Sequence, residues 1–205
     1  MTAAMAMHLF DLSTTPRMPW KNGGGSTQEI ACWPPGADMN SFEWRVSLAT
    51  VDRPGPFSVF PGIDRQIMLL GGDGLHLRGP GWAHRLGQAW QPFAFAGDDA
   101  VESDLLGGAS QDFNLMQRRG LWHGPLRVVG DAQRPGSTPA GLCMVLRGAW
   151  RWEGQGEVPR VLVPGQGLWW AGEAAAPGRL APVAGDGVPD APALAWIALQ
   201  RGTQP

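Results

Sequence analysis

The chain has 205 residues, 43% of them hydrophobic and only 17% charged, with 30 Gly, 19 Pro and a formal net charge of −2. That length buries a core without staples, so Cys32 and Cys143 need not be bridged. The charge balance offers no basic face for nucleic acid, and no apolar run approaches the roughly 18 residues that span a bilayer. The first fifteen residues carry no Lys or Arg before a short apolar stretch that His8 and Asp11 interrupt, which is not the pattern of a signal peptide. A cytoplasmic protein is expected, with neither nucleic acid nor membrane as partner. Abundant Gly and Pro favour short strands joined by tight turns over helices.

In chain order, the first strand pattern is Ser26–Cys32, where Thr27 and Glu29 share a face opposite Gln28 and Ile30. In Glu43–Ala49, Trp44, Val46 and Leu48 face one side while Arg45, Ser47 and Ala49 face the other. Short runs follow at Ile67–Leu70, Gly74–Arg78 and Phe93–Ala96. Val101–Gly107, with Asp98 or Asp99 as cap, is the one stretch that reads as a turn or two of helix. In Gln111–Met116, Phe113 and Leu115 alternate with Asp112, Asn114 and Met116. Further strands are expected at Leu142–Arg147, Arg160–Val163, Gly167–Ala171 and Leu194–Gln200, whereas Ala174–Ala193 reads as loop.

Two blocks repeat at nearly the same interval. Met68-Leu69-Leu70-Gly71-Gly72 parallels Met144-Val145-Leu146-Arg147-Gly148, and Phe95-Ala96-Gly97-Asp98 parallels Trp170-Ala171-Gly172-Glu173. A duplicated β unit is the reading: two similar antiparallel sandwiches or small barrels, packed together.

The most unusual segment is Pro19-Trp20-Lys21-Asn22-Gly23-Gly24-Gly25-Ser26-Thr27. Lys21 is the single Lys of the chain; the other fifteen basic residues are Arg. A compact ammonium differs from a planar fork, so Lys here is consistent with a task that Arg cannot perform. The three glycines permit positive φ, and their N–H groups can form an anion-binding concavity. The same glycines equally suit a simple hairpin or Ω-loop. This is not a P-loop, whose Lys follows its glycines onto a helix. The polar strand faces carrying Arg45, Ser47, Asp112 and Asn114 likewise admit two readings, the solvated side of a sheet or the wall of a barrel mouth. Periodicity alone does not separate them.

The segments PWKNGGGSTQEI, FEWRVSLATV, GPFSVFPGIDRQIMLL and QDFNLMQRRG resemble the HutD/Ves family in order and spacing, closely over roughly the first 120 residues. The resemblance implies an all-β, cupin-like bicupin of two packed antiparallel units, residues 1–120 and 121–205. It also implies an association with histidine utilisation, a degradation that runs through urocanate and formylated or formiminated glutamate. The family pattern falls on the glycine segment, on Trp44, Arg45 and Ser47, on Gly55, Pro56, Phe57, Ser58, Gly62 and Arg65, and on Asp112, Asn114, Met116, Arg118 and Arg119. It tips the polar faces toward a pocket lining. The expected ligand-binding residues are Trp20, Lys21, Asn22, Gly23, Gly24, Thr27, Glu29, Arg45, Ser47, Phe57, Arg65, Asp112, Asn114 and Met116.

Metal-binding cupins usually offer a His-x-His pair, a carboxylate and another His. This chain has His8, His76, His84 and His123, and no such pair. No metal or other cofactor is expected. Neither Cys has a His beside it in sequence, and Ser58 lacks the strand–turn–helix setting of a nucleophile elbow. Taken with the family resemblance, the expected function is metal-independent binding of a small carboxylate such as urocanate or formylglutamate, with a regulatory role in histidine utilisation. No catalytic residue is assigned. Two alternatives stay open: a metal-independent isomerase or hydrolase with Glu29 or Asp112 as base and Lys21 as acid, and a structural or interaction module. A homodimer is also left open.

Overall fold

A computed structural model describes residues 6–154, 156, 158–172, 178–183 and 191–202. Among these it contains strands and turns, with no helix, and none long and apolar enough to cross a membrane. The strands are β1 (Ala6–Asp11), β2 (Met18–Pro19), β3 (Gly25–Trp33), β4 (Trp44–Val51), β5 (Gly55–Pro56) and β6 (Ile63–Gly72). They continue as β7 (Leu75–Gly79), β8 (Trp82–Leu86), β9 (Pro92–Ala96), β10 (Glu102–Leu105), β11 (Ser110–Arg118), β12 (Trp122–His123) and β13 (Leu126–Val129). The last are β14 (Ala140–Arg147), β15 (Trp150–Glu153), β16 (Arg160–Leu162), β17 (Gln166–Ala171), β18 (Arg179–Pro182) and β19 (Ala193–Arg201).

The chain divides into two compact units, one built on Thr15–His123, the other on Gly124–Arg201 together with the N-terminal segment that ends at Thr14. The N-terminal segment was expected in the first unit. It belongs to the other because β1 pairs along its whole length with β17, from Ala6↔Ala171 to Asp11↔Gln166.

In the Thr15–His123 unit, an antiparallel sheet in the order β2-β3-β4-β11-β6-β9 faces a second sheet in the order β5-β10-β7-β8. Apolar side chains from both sheets meet in one core: Val51, Ile67, Leu69, Leu75, Leu77, Leu86, Phe95 and Val101. The expected alternation on β4 and β11 is present, but both of its faces are covered. Trp44, Val46, Leu48, Phe113 and Leu115 are at most 2% exposed on one side. On the other, Arg45, Ser47, Asp112 and Asn114 are at most 9% exposed, so the polar face is not a solvated one. On β3 the register shifts between Glu29 and Ala31. Ile30 is the extra residue, and the bulge ends the simple alternation read from sequence.

In the other unit β1-β17-β14-β19 follow in order, with β13 on β19, and a separate sheet runs β16-β15-β18. The sequence repeat reappears as topology. β9-β6-β11-β4 in one unit corresponds to β17-β14-β19-β13 in the other, and β8-β7-β10 corresponds to β16-β15-β18.

Two local readings need correction. Val101–Gly107 is not helical: Glu102–Leu105 pairs with both β5 and β7. The would-be caps are used elsewhere, since Asp98 accepts from the Gly62 N–H and from Arg119, and Asp99 accepts from the Trp82 indole. Tertiary pairing has overridden a weak local helix signal. Within Ala174–Ala193, read as loop, Arg179–Pro182 forms a strand against β15. Residues 174–177 and 184–190 of that reading lie outside the described residues.

Candidate functional site

A cavity of about 550 Å³ opens in the Thr15–His123 unit. Its wall is the polar face of β4, β11 and β6, and its rim comes from Pro19–Asn22, Met39 and the loop carrying Phe57, Ser58 and Phe60. Antiparallel register arranges the wall in rows. Arg45, Met116 and Arg65 lie abreast, then Ser47, Asn114 and Ile67, then Ala49 and Asp112. Hydrogen bonds hold the rim loop at both ends, from Phe57 N–H to the Val101 carbonyl (2.8 Å) and from Phe60 N–H to the Gly97 carbonyl (2.7 Å).

The three charged groups of the wall have different surroundings. Arg45 Nε donates to Glu29 Oε2 at 2.6 Å and its Nη1 donates to Ser47 Oγ at 3.2 Å. Among the described residues Arg65 has no carboxylate partner. It is 8% exposed, its Nη1 donates to the Ser58 carbonyl at 3.3 Å, and its Nε is buried without an acceptor. Phenylalanine faces surround the guanidinium instead, with Phe95, Phe57 and Phe60 centroids at 4.8, 5.4 and 5.7 Å. Burial, reinforced by the like charge of Arg45, lowers Arg65 to about 10, so it remains cationic at neutral pH. Asp112 is fully buried. Ser110 Oγ donates to its Oδ1 at 3.0 Å, while Oδ2 has no partner. Burial pushes its carboxyl up to about 7 despite the Ser110 hydrogen bond.

Of the fourteen residues expected to bind ligand, Gly23, Gly24 and Glu29 do not line the cavity; the others do. The glycine amides are used within their own turn. Gly23 N–H donates to the Trp20 carbonyl and Gly24 N–H to Asn22 Oδ1, each at 3.0 Å, so neither serves an anion. Only Gly23 of the three needs positive φ, at 67°. Gly25 is required for closeness instead, because a Cβ there would collide with the Thr50 carbonyl oxygen and press on the Trp20 ring. Trp20 is anchored by its indole N–H, which donates to Thr27 Oγ1 at 2.8 Å. Glu29 acts at one remove, through Arg45. Lys21 is exposed at the rim, with no ion pair among the described residues.

The expected ligand-binding set leaves out Met39, Phe60, Ile67, Ala49 and Val51, which supply much of the apolar lining. Ile67, Ala49 and Val51 keep the parity of the polar wall residues on their strands, and that is the signal that could have found them. Met39 and Phe60 sit on loops and carry no such signal. Arg118 and Arg119, part of the family pattern, are away from the cavity. Arg118 donates to the carbonyls of Phe42 and Asn40, and Arg119 pairs with Asp64 and Asp98.

The donors present do not fit the divalent metal of metal-binding cupins, because the wall offers one carboxylate and two guanidiniums. The histidines are elsewhere: His8 stacks on Trp169, His84 stacks on Phe93, and neither they nor His76 and His123 line the cavity. Among the described residues no three His, Cys, Asp or Glu side chains converge. Both cysteines are free. Burial raises the Cys32 thiol, and Cys143 rises to about 12, so neither is a ready thiolate.

Among the described residues, the duplicated unit has no counterpart of this wall. The positions matching Ile67, Asp112 and Asn114 by register are Cys143, Leu194 and Trp196. They join Trp150, Trp152 and Trp170 in a buried core, so indole rings fill the equivalent interior.

A family model for HutD matches residues 12–185. Protein Ves of Cronobacter sakazakii is 39% identical over 165 residues, which cover 80% of this chain and 87% of that protein. An uncharacterized 21.2 kDa protein in the hutC 3′ region of Pseudomonas putida is 46% identical over 101 residues, 49% of this chain and 53% of that protein. The structure of HutD from Pseudomonas fluorescens, solved in a formate condition, superposes with a TM-score of 0.78 at 30% identity, covering 96% of this chain and 99% of that one. Bacillus subtilis oxalate decarboxylase, at 9% identity and a TM-score of 0.62 over 93% of this chain and 76% of that one, shares the cupin-type fold alone. With the matched model spanning most of its length and a relative this similar, the chain belongs to the HutD family.

Proposed function

We propose that this protein binds a small carboxylate metabolite in the cavity of its Thr15–His123 unit, without a metal, and so reports on histidine breakdown in a regulatory role. The observation that carries the reading is Arg65: a buried, cationic guanidinium in the cavity wall with no carboxylate of its own among the described residues. An unpaired buried charge is costly, and an incoming carboxylate is the partner it lacks. Lys21 at the rim adds a second positive charge, and Ser47 and Asn114 offer neutral hydrogen-bonding groups. The link to histidine rests on the similar protein in a hutC region. Calorimetry with urocanate, formylglutamate and glutamate tests it; saturable binding of at least one is expected. Failure of all three at millimolar concentration would overturn the reading.

A second reading is a metal-independent enzyme, and one observation favours it. Asp112, with its carboxyl pushed up to about 7 in the same cavity, is tuned for proton transfer at neutral pH. It predicts chemical change in bound urocanate or formylglutamate on long incubation, lost in Asp112→Asn. Recovery of both compounds unchanged would leave binding alone.

A further inference from the structure

Two buried polar atoms in the cavity wall lack a partner among the described residues, and they sit at opposite ends of it. Arg65 Nε lies in the row with Met116, and Asp112 Oδ2 lies four residues away along β11. At about 3.4 Å per residue this is roughly 14 Å of backbone. The wall does not neutralise itself across that gap. Arg45 is taken by Glu29, the charge that bears on Arg65 is Arg45, and Ser110 satisfies only Oδ1 of Asp112. Between the ends lie Ile67 and Asn114.

Resting on the carboxylate reading above, we infer that the cavity is two-ended: Arg65 takes the ligand's carboxylate, and Asp112 takes a nitrogen-bearing hydrogen-bonding group at the ligand's other end. A second carboxylate suits the Asp112 end only while Asp112 is protonated, since it offers acceptors only and repels an ionised neighbour. A ring nitrogen suits it in either protonation state. A protonated Asp112 donates to an unprotonated ring nitrogen, and an ionised one accepts from a ring N–H. Burial holds Asp112 near the midpoint between those forms at neutral pH. The apolar lining from Ile67, Phe57 and Val51 accommodates a flat, unsaturated connector.

The test uses a matched pair of acids, urocanate and trans-cinnamate, which share an acrylate and differ in carrying an imidazole or a phenyl ring. Calorimetry on the full chain should give urocanate at least about tenfold tighter binding than cinnamate. Asp112→Leu should abolish that preference by weakening urocanate relative to cinnamate, and Arg65→Met should weaken both acids. Equal affinity of the unmodified protein for the two acids would overturn the two-ended inference alone, and this comparison needs no variant to fold. A preference that survives Asp112→Leu would overturn it as well. No binding of either acid, of formylglutamate or of glutamate would overturn the carboxylate reading itself, and this inference with it.

Discussion

Replacing Asp112 by Asn should make the protein more stable, and increasingly so as the pH rises. The carboxyl is fully buried, one oxygen is unpartnered, and burial raises its pKa from 3.8 to about 7. The folded state thus holds this proton more tightly than the unfolded chain does. The stability that goes with it is fully present below about pH 4 and is lost as the pH rises through about 7. At 1.36 kcal/mol per pH unit, the loss on complete ionisation is on the order of 4 kcal/mol. Asn keeps the shape and the oxygen that accepts from Ser110, and it does not ionise. Its Nδ2 inherits the unpartnered position, as the protonated acid's hydroxyl would, so the two proteins should melt alike near pH 4. By pH 8 the variant should melt higher, by up to about 8–16 °C at roughly 2–4 °C per kcal/mol. Asp11, Asp38 and Asp98, held low by hydrogen bonds, destabilise both proteins equally in acid and cancel in the difference. Thermal melts of both proteins in half-unit steps from pH 4 to 8 read this out. A difference that stays flat across the range would refute the reasoning.

Arg65→Met should cost at most about 1 kcal/mol of stability, because the lost charge has no counterion to leave behind, yet weaken urocanate roughly 10- to 100-fold. Melting and calorimetry on the same samples check this, and a large stability loss with unchanged affinity would make Arg65 purely structural. Glu29→Gln removes the carboxylate that competes for Arg45, so carboxylate affinity should rise by about two- to fivefold; a fall would show that Glu29 positions Arg45 productively. Lys21→Met should leave the melting temperature nearly unchanged and weaken binding by about three- to tenfold at low salt. An effect that does not shrink at high salt would place Lys21 in direct, dehydrated contact.

The all-β class, the alternation on β4 and β11 and the duplication were legible in the chain because each is a local property, a period of two or a repeated block. The polar faces of Arg45, Ser47, Asp112 and Asn114 could be read as one side of a strand. Whether that side met water or a cavity depended on the second sheet and on the Phe57–Phe60 loop, which the alternation within β4 and β11 does not encode. The glycine segment looked like an anion cradle because three glycines permit one. Only the turn's own hydrogen bonds show that the amides of Gly23 and Gly24 are already used. Arg65 and Asp112 were recognisable by resemblance, but not for what distinguishes them. Being unpaired is a statement about every neighbour at once, and no local pattern encodes it. The same holds for the second unit, where the repeat alone left open whether a second cavity exists. There Leu194 and Trp196 stand where Asp112 and Asn114 stand in the first, and four tryptophans close the space. Periodicity sets which side a residue faces; what it meets on that side is decided by the packing of the rest of the chain.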